Sequence, residues 1–415
     1  MKFTTAQKAW LLYDPAISAY AMIVRTVVAP IFLAHCAANI FQPSQCSEYW
    51  GYAGSFAGIA AGAISVFCGP KIDAHSRKVQ SVAFFTITGI LSTLAYIAIP
   101  ELLPADILPW AVLAVSFCGI VSFMGANSFY DSLLINISEP AGRDTISTLG
   151  YALGYAGALC SFLLCIPLIF IAGGKYFYYG AFLIAALWWG IGSLPLFKNI
   201  REKRRSAGTE IHYVSLKDTL KFIFLQKNIL LFLIAYFLYI DGVGTIMMQA
   251  TLIAKGLELT DLSIMITILA LQITGLPFTL LFGRLAAKFT AKTMIFTAIF
   301  IYIAIAVIVT AMSFTTGDRL RQILFYTAAA LIGTAQGGIQ SLSRSVFSRI
   351  IPGERAAELF AVYNFFGKFT TIVGPLLLIP LAVLFWNKAE LGITLLIIPF
   401  SLGAILLTKV KVPEN

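Results

Sequence analysis

Charged residues are scarce in this sequence: only 12% of its 415 residues are Asp, Glu, Lys or Arg, whereas 59% are hydrophobic. A typical soluble domain has about 25% charged residues. A soluble protein of this length could not bury so much apolar surface, so this composition excludes a soluble globular protein. The sequence instead indicates a polytopic membrane protein.

The residues that build metal sites and nucleotide sites are also scarce. The three histidines, His35, His75 and His212, are far apart and have no Cys or carboxylate at ligand spacing, so we expect no metal site and no cofactor. No Walker P-loop is present, and the membrane carboxylates have no His or Cys beside them, which argues against an enzyme. Cys36 and Cys46 both fall in the first outer loop, where a disulfide and two free thiols are both possible.

Long apolar runs cross the chain from end to end. A membrane helix needs about 20 apolar residues to cross roughly 30 Å of hydrocarbon, and twelve runs satisfy this length. We therefore predict an all-α protein with twelve transmembrane helices, at 10–34, 48–69, 80–99, 109–137, from 145, 176–197, 229–253, 260–284, 292–313, 322–350, 357–385 and 391–408.

The basic residues lie mostly on one side of these helices. The outer loops contain Lys175, Lys255, Arg319, Arg321 and Lys388, whereas most of the 29 Lys and Arg lie in segments between the inner helix ends. This positive-inside bias predicts that both termini are cytoplasmic, in a multi-pass protein of the bacterial inner membrane. The formal charge of +10 then indicates contact with anionic lipid and not with nucleic acid.

Two sequence motifs occur once in each half of the chain. Three residues recur 212 positions apart: Pro140 with Pro352, Arg143 with Arg355, and Tyr151 with Tyr363. GPKIDAHSRK (69–78) recurs as GRLAAKFTAK (283–292), with Ala287 in place of Asp73. The second motif recurs after 214 residues, which agrees with the offset of 212 residues in the first motif, and the agreement indicates an internal duplication. The predicted domains are two pseudo-symmetric six-helix halves, 1–197 and 228–415, joined by a basic cytoplasmic linker, 198–227, with an amphipathic helix.

Six charged residues fall inside apolar sequence, where each costs a few kcal/mol if it faces lipid. They are three cations, Arg25, Arg344 and Lys368, and three acids, Asp14, Asp131 and Asp241. On an α-helix Asp14 and Arg25 share one stripe, about 16 Å apart. The charges either line a cavity, or neutralise one another to stabilise packing, or, for Asp14 and Arg25, reach opposite surfaces.

A cavity with these charges predicts a substrate and a coupling ion. If cations or ion pairs occupy the acids, the cavity is net positive and favours a solute with carboxylates, such as an organic acid, an amino acid or a polycarboxylate metal chelate. The predicted cation-coupling residues are Asp14, Asp131 and Asp241. The predicted substrate-binding residues are Arg25, Asn127, Gln249, Gln340, Arg344, Asn364 and Lys368.

A predicted gate lies between the second and third helices. Asp73 can accept hydrogen bonds from the N-terminus of a neighbouring helix and can pair with a basic residue, which would hold the inner ends together. Its members are Gly69, Asp73, Arg77 and Lys78. This stretch resembles the corresponding loop of the major facilitator superfamily, with Ser76 in place of the usual glycine. The alternative is an ordinary basic loop.

Five segments carry a second resemblance. They are YDPAISAYA (13–21), FYDSLL (129–134), GYALGYAGA (150–158), GGIQSLSRS (337–345) and YNFFGK (363–368). They resemble the autophagy-related vacuolar effluxer family and its bacterial relatives. The resemblance implies the major facilitator fold and solute transport, and eukaryotic members are associated with amino-acid efflux. A weaker similarity to cation-coupled sugar symporters implies cation coupling, with Asp14, Asp131 and Lys368 at the matching positions.

We therefore expect a monomeric secondary transporter of a small solute, coupled to H⁺ or Na⁺, that works by alternating access. An integral-membrane enzyme, a lipid scramblase and a receptor are the alternatives, and import and export are equally open. We also predict an ion pair between Asp131 and Arg344, and that Asp14 or Asp131 holds Lys368 in the empty carrier.

Overall fold

A computed structural model describes most of the chain. The described residues are 3–171, 174–202, 216–256, 261–373, 381, 384 and 392–413. Within these ranges the regular structure is helical, as the sequence predicted.

The first half contains six long helices near their predicted positions. We label them α1 to α6: Thr5–Cys36, Pro43–His75, Lys78–Leu102, Leu108–Ser132, Arg143–Leu163 and Gly174–Asn199.

The second half also contains six helices, α7 to α12. They are Lys227–Gly256, Asp261–Phe289, Ala291–Phe314, Asp318–Ile350, Ala356–Val373 and Ile397–Lys409. Within the described residues, ten helices are long and apolar enough to cross a membrane. Two further helices, α10 and α11, are more polar than these ten and lie where the tenth and eleventh spans were predicted. The structure is therefore consistent with twelve transmembrane helices.

The chain forms two compact units. Unit 1 contains residues 1–138, 153–216 and 353–365, and unit 2 contains residues 139–152, 217–352 and 366–415. The first turns of α5 therefore belong to unit 2, and the first turns of α11 belong to unit 1. The domain boundaries at 197 and 228 stay predictions.

Helix packing follows the same pattern in the two units. In unit 1, α4 packs against α2 and α3, and α1 packs against α6. In unit 2, α10 packs against α8 and α9, and α7 packs against α12. Each pair in one unit is matched by the pair six helices later in the other. This repetition is the pattern expected of a duplicated six-helix bundle.

The turn after α2 and the turn after α8 each contain a non-glycine residue with a positive φ. Ser76 ends α2 with φ +50° and ψ +54°, and Thr290 precedes α9 with φ +82° and ψ +148°. The two residues are 214 positions apart, the offset of the sequence repeat around them. A non-glycine residue with a positive φ is strained, but only Ser76 has the left-handed helical conformation. The two turns therefore agree in the sign of φ and differ in ψ.

The predicted α-helical stripe on α1 was wrong in its second half. Residues Tyr20–Val28 form a π-helix, in which the Ala29 N–H donates to the Val24 carbonyl. A π-helix has more residues per turn than an α-helix. The spacing that placed Arg25 on the face of Asp14 therefore ends at Ala19.

A short helix at Leu216–Leu225 lies within the range predicted for the linker. Thr219 and Ile223 are buried, whereas Leu220 and Phe224 are 43% and 66% exposed. One residue separates this helix from α7, so its exposed apolar side lies close to the start of a membrane span.

Candidate functional site

Asp14 is buried on α1 against the aromatic side chain of Tyr130 from α4. The Tyr130 hydroxyl lies 2.8 Å from the Asp14 carboxylate and 3.0 Å from the Trp10 carbonyl. The Trp10 ring stacks on Tyr130 at 4.5 Å between ring centroids. The first predicted coupling acid thus contacts α4 beside two stacked aromatic rings.

Asp131 follows Tyr130 in α4 and is also buried. Its carboxylate accepts a hydrogen bond of 3.0 Å from the Asn364 side-chain amide on α11. Unit 1 therefore brings together Asp131 and Asn364, which were predicted for different roles. Lys368 follows Asn364 by one helical turn in α11.

Arg25 lies within the π-helical part of α1 and is partly buried. Its guanidinium is 6.0 Å from the centre of the Phe123 ring on α4, at the outer limit of a cation–π contact. Asn127, one turn further along α4, donates to the Phe123 carbonyl at 2.9 Å. π-helical segments occur frequently at functional sites, which makes this part of α1 a candidate for substrate contact.

Arg344 is the most buried of the described membrane cations, with 1% of its surface exposed. In unit 2 its guanidinium donates to the Ser147 hydroxyl at 2.9 Å and to the Ser147 carbonyl at 3.0 Å. It also lies 4.4 Å from the centre of the Tyr151 ring. Backbone, hydroxyl and ring together hold a permanent charge in place. The predicted ion pair between Asp131 in unit 1 and Arg344 in unit 2 stays a prediction.

A second polar cluster in unit 2 was missed from the sequence. Asp144, at the start of α5, accepts from Arg349 at 2.5 Å and from the Ser345 hydroxyl at 2.6 Å, both on α10. Arg143 donates to the Ser348 carbonyl at 2.6 Å. Arg143 belonged to the repeated motif, but Asp144 has no acidic counterpart in the other half, where Ala356 stands at the 212-residue offset.

The other residues predicted for cation coupling or substrate binding lie on α7, α10 and α11. Asp241 is buried on α7, and Gln340 is partly buried on α10. Gln249 and Lys368 lie within α7 and α11, but their side chains fall outside the described residues.

The predicted gate forms a connected set of contacts in unit 1. The Ala357 and Glu358 N–H groups donate to the two oxygens of Asp73 at 3.1 and 2.8 Å. These amides are in the first turn of α11 and have no acceptor within their own helix. Lys78 lies 3.4 Å from the Asp73 carboxylate and donates to Asn136 at 3.1 Å. The acceptor role and the basic partner expected for Asp73 are both present.

Gly69 allows α2 and α11 to approach closely. A Cβ atom at this position would lie 2.8 Å from the Glu358 Cα. Any side chain there would push the first turn of α11 away from Asp73. Arg77, the other basic member of the predicted gate, is exposed.

A polar cavity of about 260 Å³ lies beside this contact. Its lining comprises Asp73, Ser76, Lys78, Ile135, Asn136, Glu202, Gly353 and Glu354. Glu202 accepts a hydrogen bond of 2.8 Å from the Val79 N–H, in the first turn of α3. The start of the linker is thereby attached to the turn that contains Lys78.

The cysteines and the potential metal ligands add no further site. Cys36 and Cys46 are both free thiols in the structure. Among the described residues, no group of three or more His, Cys, Asp or Glu side chains is arranged to hold a metal ion.

Known proteins resemble this chain in sequence. The family model for vacuole effluxer Atg22-like proteins matches residues 135–413. The uncharacterized MFS-type transporter YxiO of Bacillus subtilis is 34% identical, over 100% of this chain and 96% of its own length. Autophagy-related protein 22 of Saccharomyces cerevisiae is 25% identical, over 72% of this chain and 65% of its own length.

The fold is also found among solved structures. The proton:xylose symporter XylE, a member of the major facilitator superfamily, superposes with a TM-score of 0.71 over 98% of this chain and 96% of its own, at 13% identity. At 13% sequence identity, the structural similarity shows a shared fold alone.

Proposed function

The chain belongs to the Atg22-like vacuole effluxer family, as an integral multi-pass transporter with the major facilitator fold, and we propose that it carries a small carboxylate-bearing solute. In this proposal transport is secondary, coupled to H⁺ or Na⁺, and proceeds by alternating access. Organic acids, amino acids and polycarboxylate metal chelates are the candidate solutes.

The hydrogen bond between Asn364 and Asp131 carries the proposal. It supports the proposal because Asn364, which contacts the buried Asp131 carboxylate of α4, precedes Lys368 in α11 by one helical turn. An ammonium group at membrane depth stays charged beside an anion and tends to lose its proton without one. We infer that Asp131 or Asp14 partners Lys368 in the empty carrier, and that a cation on the acid releases the lysine to a substrate carboxylate.

Arg344, within unit 2, also supports a solute that carries a negative charge. Its guanidinium cannot lose its proton, and the fixed fork suits a carboxylate. Ser147 and Tyr151 hold it in one orientation, so a carboxylate meets a preformed donor and little side-chain entropy is lost on binding.

The contacts of Asp73 support a gate. We propose that the bonds from Asp73 to the first turn of α11 form in one state of the transport cycle and break in another. Two observations support this proposal: the amides have no acceptor within their own helix, and Lys78, 3.4 Å from the Asp73 carboxylate and five residues after it in the chain, would still neutralise this carboxylate after the amides leave.

Transport assays in proteoliposomes test the proposal. The purified protein is reconstituted, a proton or sodium gradient is imposed, and uptake of a panel of carboxylates, amino acids and polycarboxylate chelates is measured. Lys368→Ala should abolish solute binding while the protein still folds, and Asp131→Asn should uncouple uptake from the gradient. Lys288→Ala is the matched control, because Lys288 is exposed in unit 2.

Two results would contradict the proposal. Gradient-independent movement of lipid without solute uptake would identify a scramblase. Normal binding and uptake by Lys368→Ala would make the lysine structural and remove the reason to expect an anionic solute.

A further inference from the structure

The first turn of α3 is capped from a distant part of the chain. Arg77 precedes this helix, and within the described residues its side chain makes no capping hydrogen bond. The first N–H groups of a helix have no acceptor inside it. The Val79 N–H is one of them, and it donates to the Glu202 carboxylate at 2.8 Å. An acid of the linker, 123 residues later, therefore supplies the acceptor that an N-cap side chain usually provides.

Glu202 is held at this position by the end of α6. Helices α3 and α6 pack against each other, and α6 ends at Asn199. The next residue, Ile200, is 5% exposed, and its N–H donates to the Leu196 carbonyl at 3.1 Å. Glu202 is thus two residues beyond a buried anchor. The contact with Val79 joins a fixed end of α6 to the start of α3.

The helix that Glu202 caps begins with a residue of the proposed gate. Lys78 is the first residue of α3 and is 4% exposed. Its ammonium lies 3.4 Å from the Asp73 carboxylate and donates to the Asn136 side chain at 3.1 Å. A buried ammonium keeps such contacts only while the backbone that carries it stays in place. The N–H that Glu202 binds belongs to the next residue of the chain, so Glu202 fixes this part of the backbone.

We propose that Glu202 is a positioning residue of the gate and acts through the first turn of α3. By binding the Val79 N–H, it keeps Lys78 beside Asp73. Lys78 in turn balances the charge of Asp73, and a buried carboxylate that loses its cation is strongly destabilised. This inference rests on the proposed gate and deepens it, because it makes the contact with α11 depend on the attachment of the linker.

Two helices start beside the same cavity, and each is capped by an acid from elsewhere in the chain. Glu202 caps α3. Asp73 accepts from the Ala357 and Glu358 N–H groups, here called the α11 amides. Negative charge is favourable at both helix starts, because the N-terminus of a helix is partly positive. Lys78 belongs to the first of these helices and contacts the acid that caps the second. The two caps are therefore connected through one side chain, and all of these residues lie in unit 1.

Amide hydrogen exchange of the reconstituted protein tests this assignment without a substrate. In Glu202→Ala the Val79 amide should exchange about fivefold faster, the usual effect of losing an N-cap side chain. The α11 amides should also exchange faster, by about two- to fivefold, because Asp73 is no longer held beside its cation. Unchanged exchange of the α11 amides would show that Glu202 caps α3 alone and would overturn the assignment.

A second background separates positioning from general loosening of the fold. In Lys78→Gln the ammonium is absent. Glu202→Ala should then still accelerate exchange at Val79, but it should no longer alter exchange of the α11 amides. Two changes that act through one contact are not additive, whereas independent losses of stability are. Equal acceleration of the α11 amides in both backgrounds would refute the role of Lys78 as the connection.

Glu354→Gln is the matched control. Glu354 is an exposed acid that lines the same cavity, so its replacement removes the same charge and leaves the acceptor of Val79 in place. Glu202→Gln weakens that acceptor and should accelerate exchange of the α11 amides, whereas Glu354→Gln should not. This comparison decides the question even if Lys78→Gln does not fold. Equal effects of the two Gln variants would show that only the charge of the cavity matters, against the proposal.

Uptake measurements on the same samples separate this inference from the proposed function. Glu202→Ala should reduce uptake and leave solute binding unchanged, because the gate forms less often. Faster exchange of the α11 amides with unchanged uptake would keep Glu202 as the residue that positions Lys78 and would count against the gate alone. Reduced uptake in Asp73→Asn, with the α11 amides unaffected by Glu202→Ala, would leave the gate in place and refute the assignment of Glu202.

Discussion

Replacing Asp73 by Asn tests whether this carboxylate holds the first turn of α11. The change keeps the size of the side chain but removes its charge and one of its two acceptor oxygens. In the structure each oxygen accepts from one backbone amide, of Ala357 and of Glu358. Both amides are among the first residues of a helix and have no other acceptor within it.

The effect can be estimated from the two hydrogen bonds. A hydrogen bond to a charged group contributes about 1.5–3 kcal/mol, and one between neutral groups contributes about 0.5–1.5 kcal/mol. Because Asn has one acceptor oxygen, one bond is lost, which costs about 2 kcal/mol, and the other becomes a neutral bond, which costs about 1 kcal/mol, so the loss is about 3 kcal/mol in total. Since every 1.4 kcal/mol is tenfold, the first turn of α11 should be open about 100 times more often.

Amide hydrogen exchange measures this opening directly. In Asp73→Asn the amides of 357 and 358 should exchange about 100-fold faster, because exchange follows the open population. Asp106→Asn is the same chemical change at an exposed position of the α3–α4 loop, and it should leave these amides unaffected. If Asp73→Asn exchanges at the rate of the unmodified protein, the carboxylate does not hold α11, and only an ordinary basic loop is left.

Three further predictions concern topology and stability. Ser206→Cys and Lys388→Cys should react with an impermeant maleimide from opposite sides of the membrane; reaction from one side would overturn the cytoplasmic placement of the linker. Ser76→Gly should raise the stability by about 1 kcal/mol, because glycine adopts φ +50° without strain, and an unchanged thermal midpoint would show that the turn is not strained. Asp144→Asn should lower the stability by about 3–5 kcal/mol, because Arg349 then lacks its buried partner, and the double variant with Arg349→Gln should recover part of the loss in thermal unfolding.

The sequence predicted the elements that composition and periodicity control. The membrane helices were found because each needs a long apolar run, and the backbone has few alternatives in lipid. The role of Asp73 as a helix cap was predicted because an acid at a helix end has a limited choice of partners.

Other features depend on contacts that local sequence does not encode. The π-helix of α1 has no evident signal in the local sequence, because the composition of Tyr20–Val28 is that of an ordinary apolar helix. Tyr130 lay within a segment of family resemblance, but its position between Trp10 and Asp14 depends on how α1 and α4 pack. Asp144 was missed because its partners are 201 and 205 residues away in the chain.

The capping of α11 by Asp73 also has a consequence for the order of synthesis. Asp73 leaves the ribosome 284 residues before Ala357. At about 5–20 residues per second, the carboxylate waits roughly 15–60 s for the amides that it will bind. During this time Lys78, only five residues later, can neutralise it. The hydrogen-bond acceptor on α2 is thus already in place when α11 is made near the end of translation. A nascent chain released before α11 would keep that acceptor exposed to quality-control proteases.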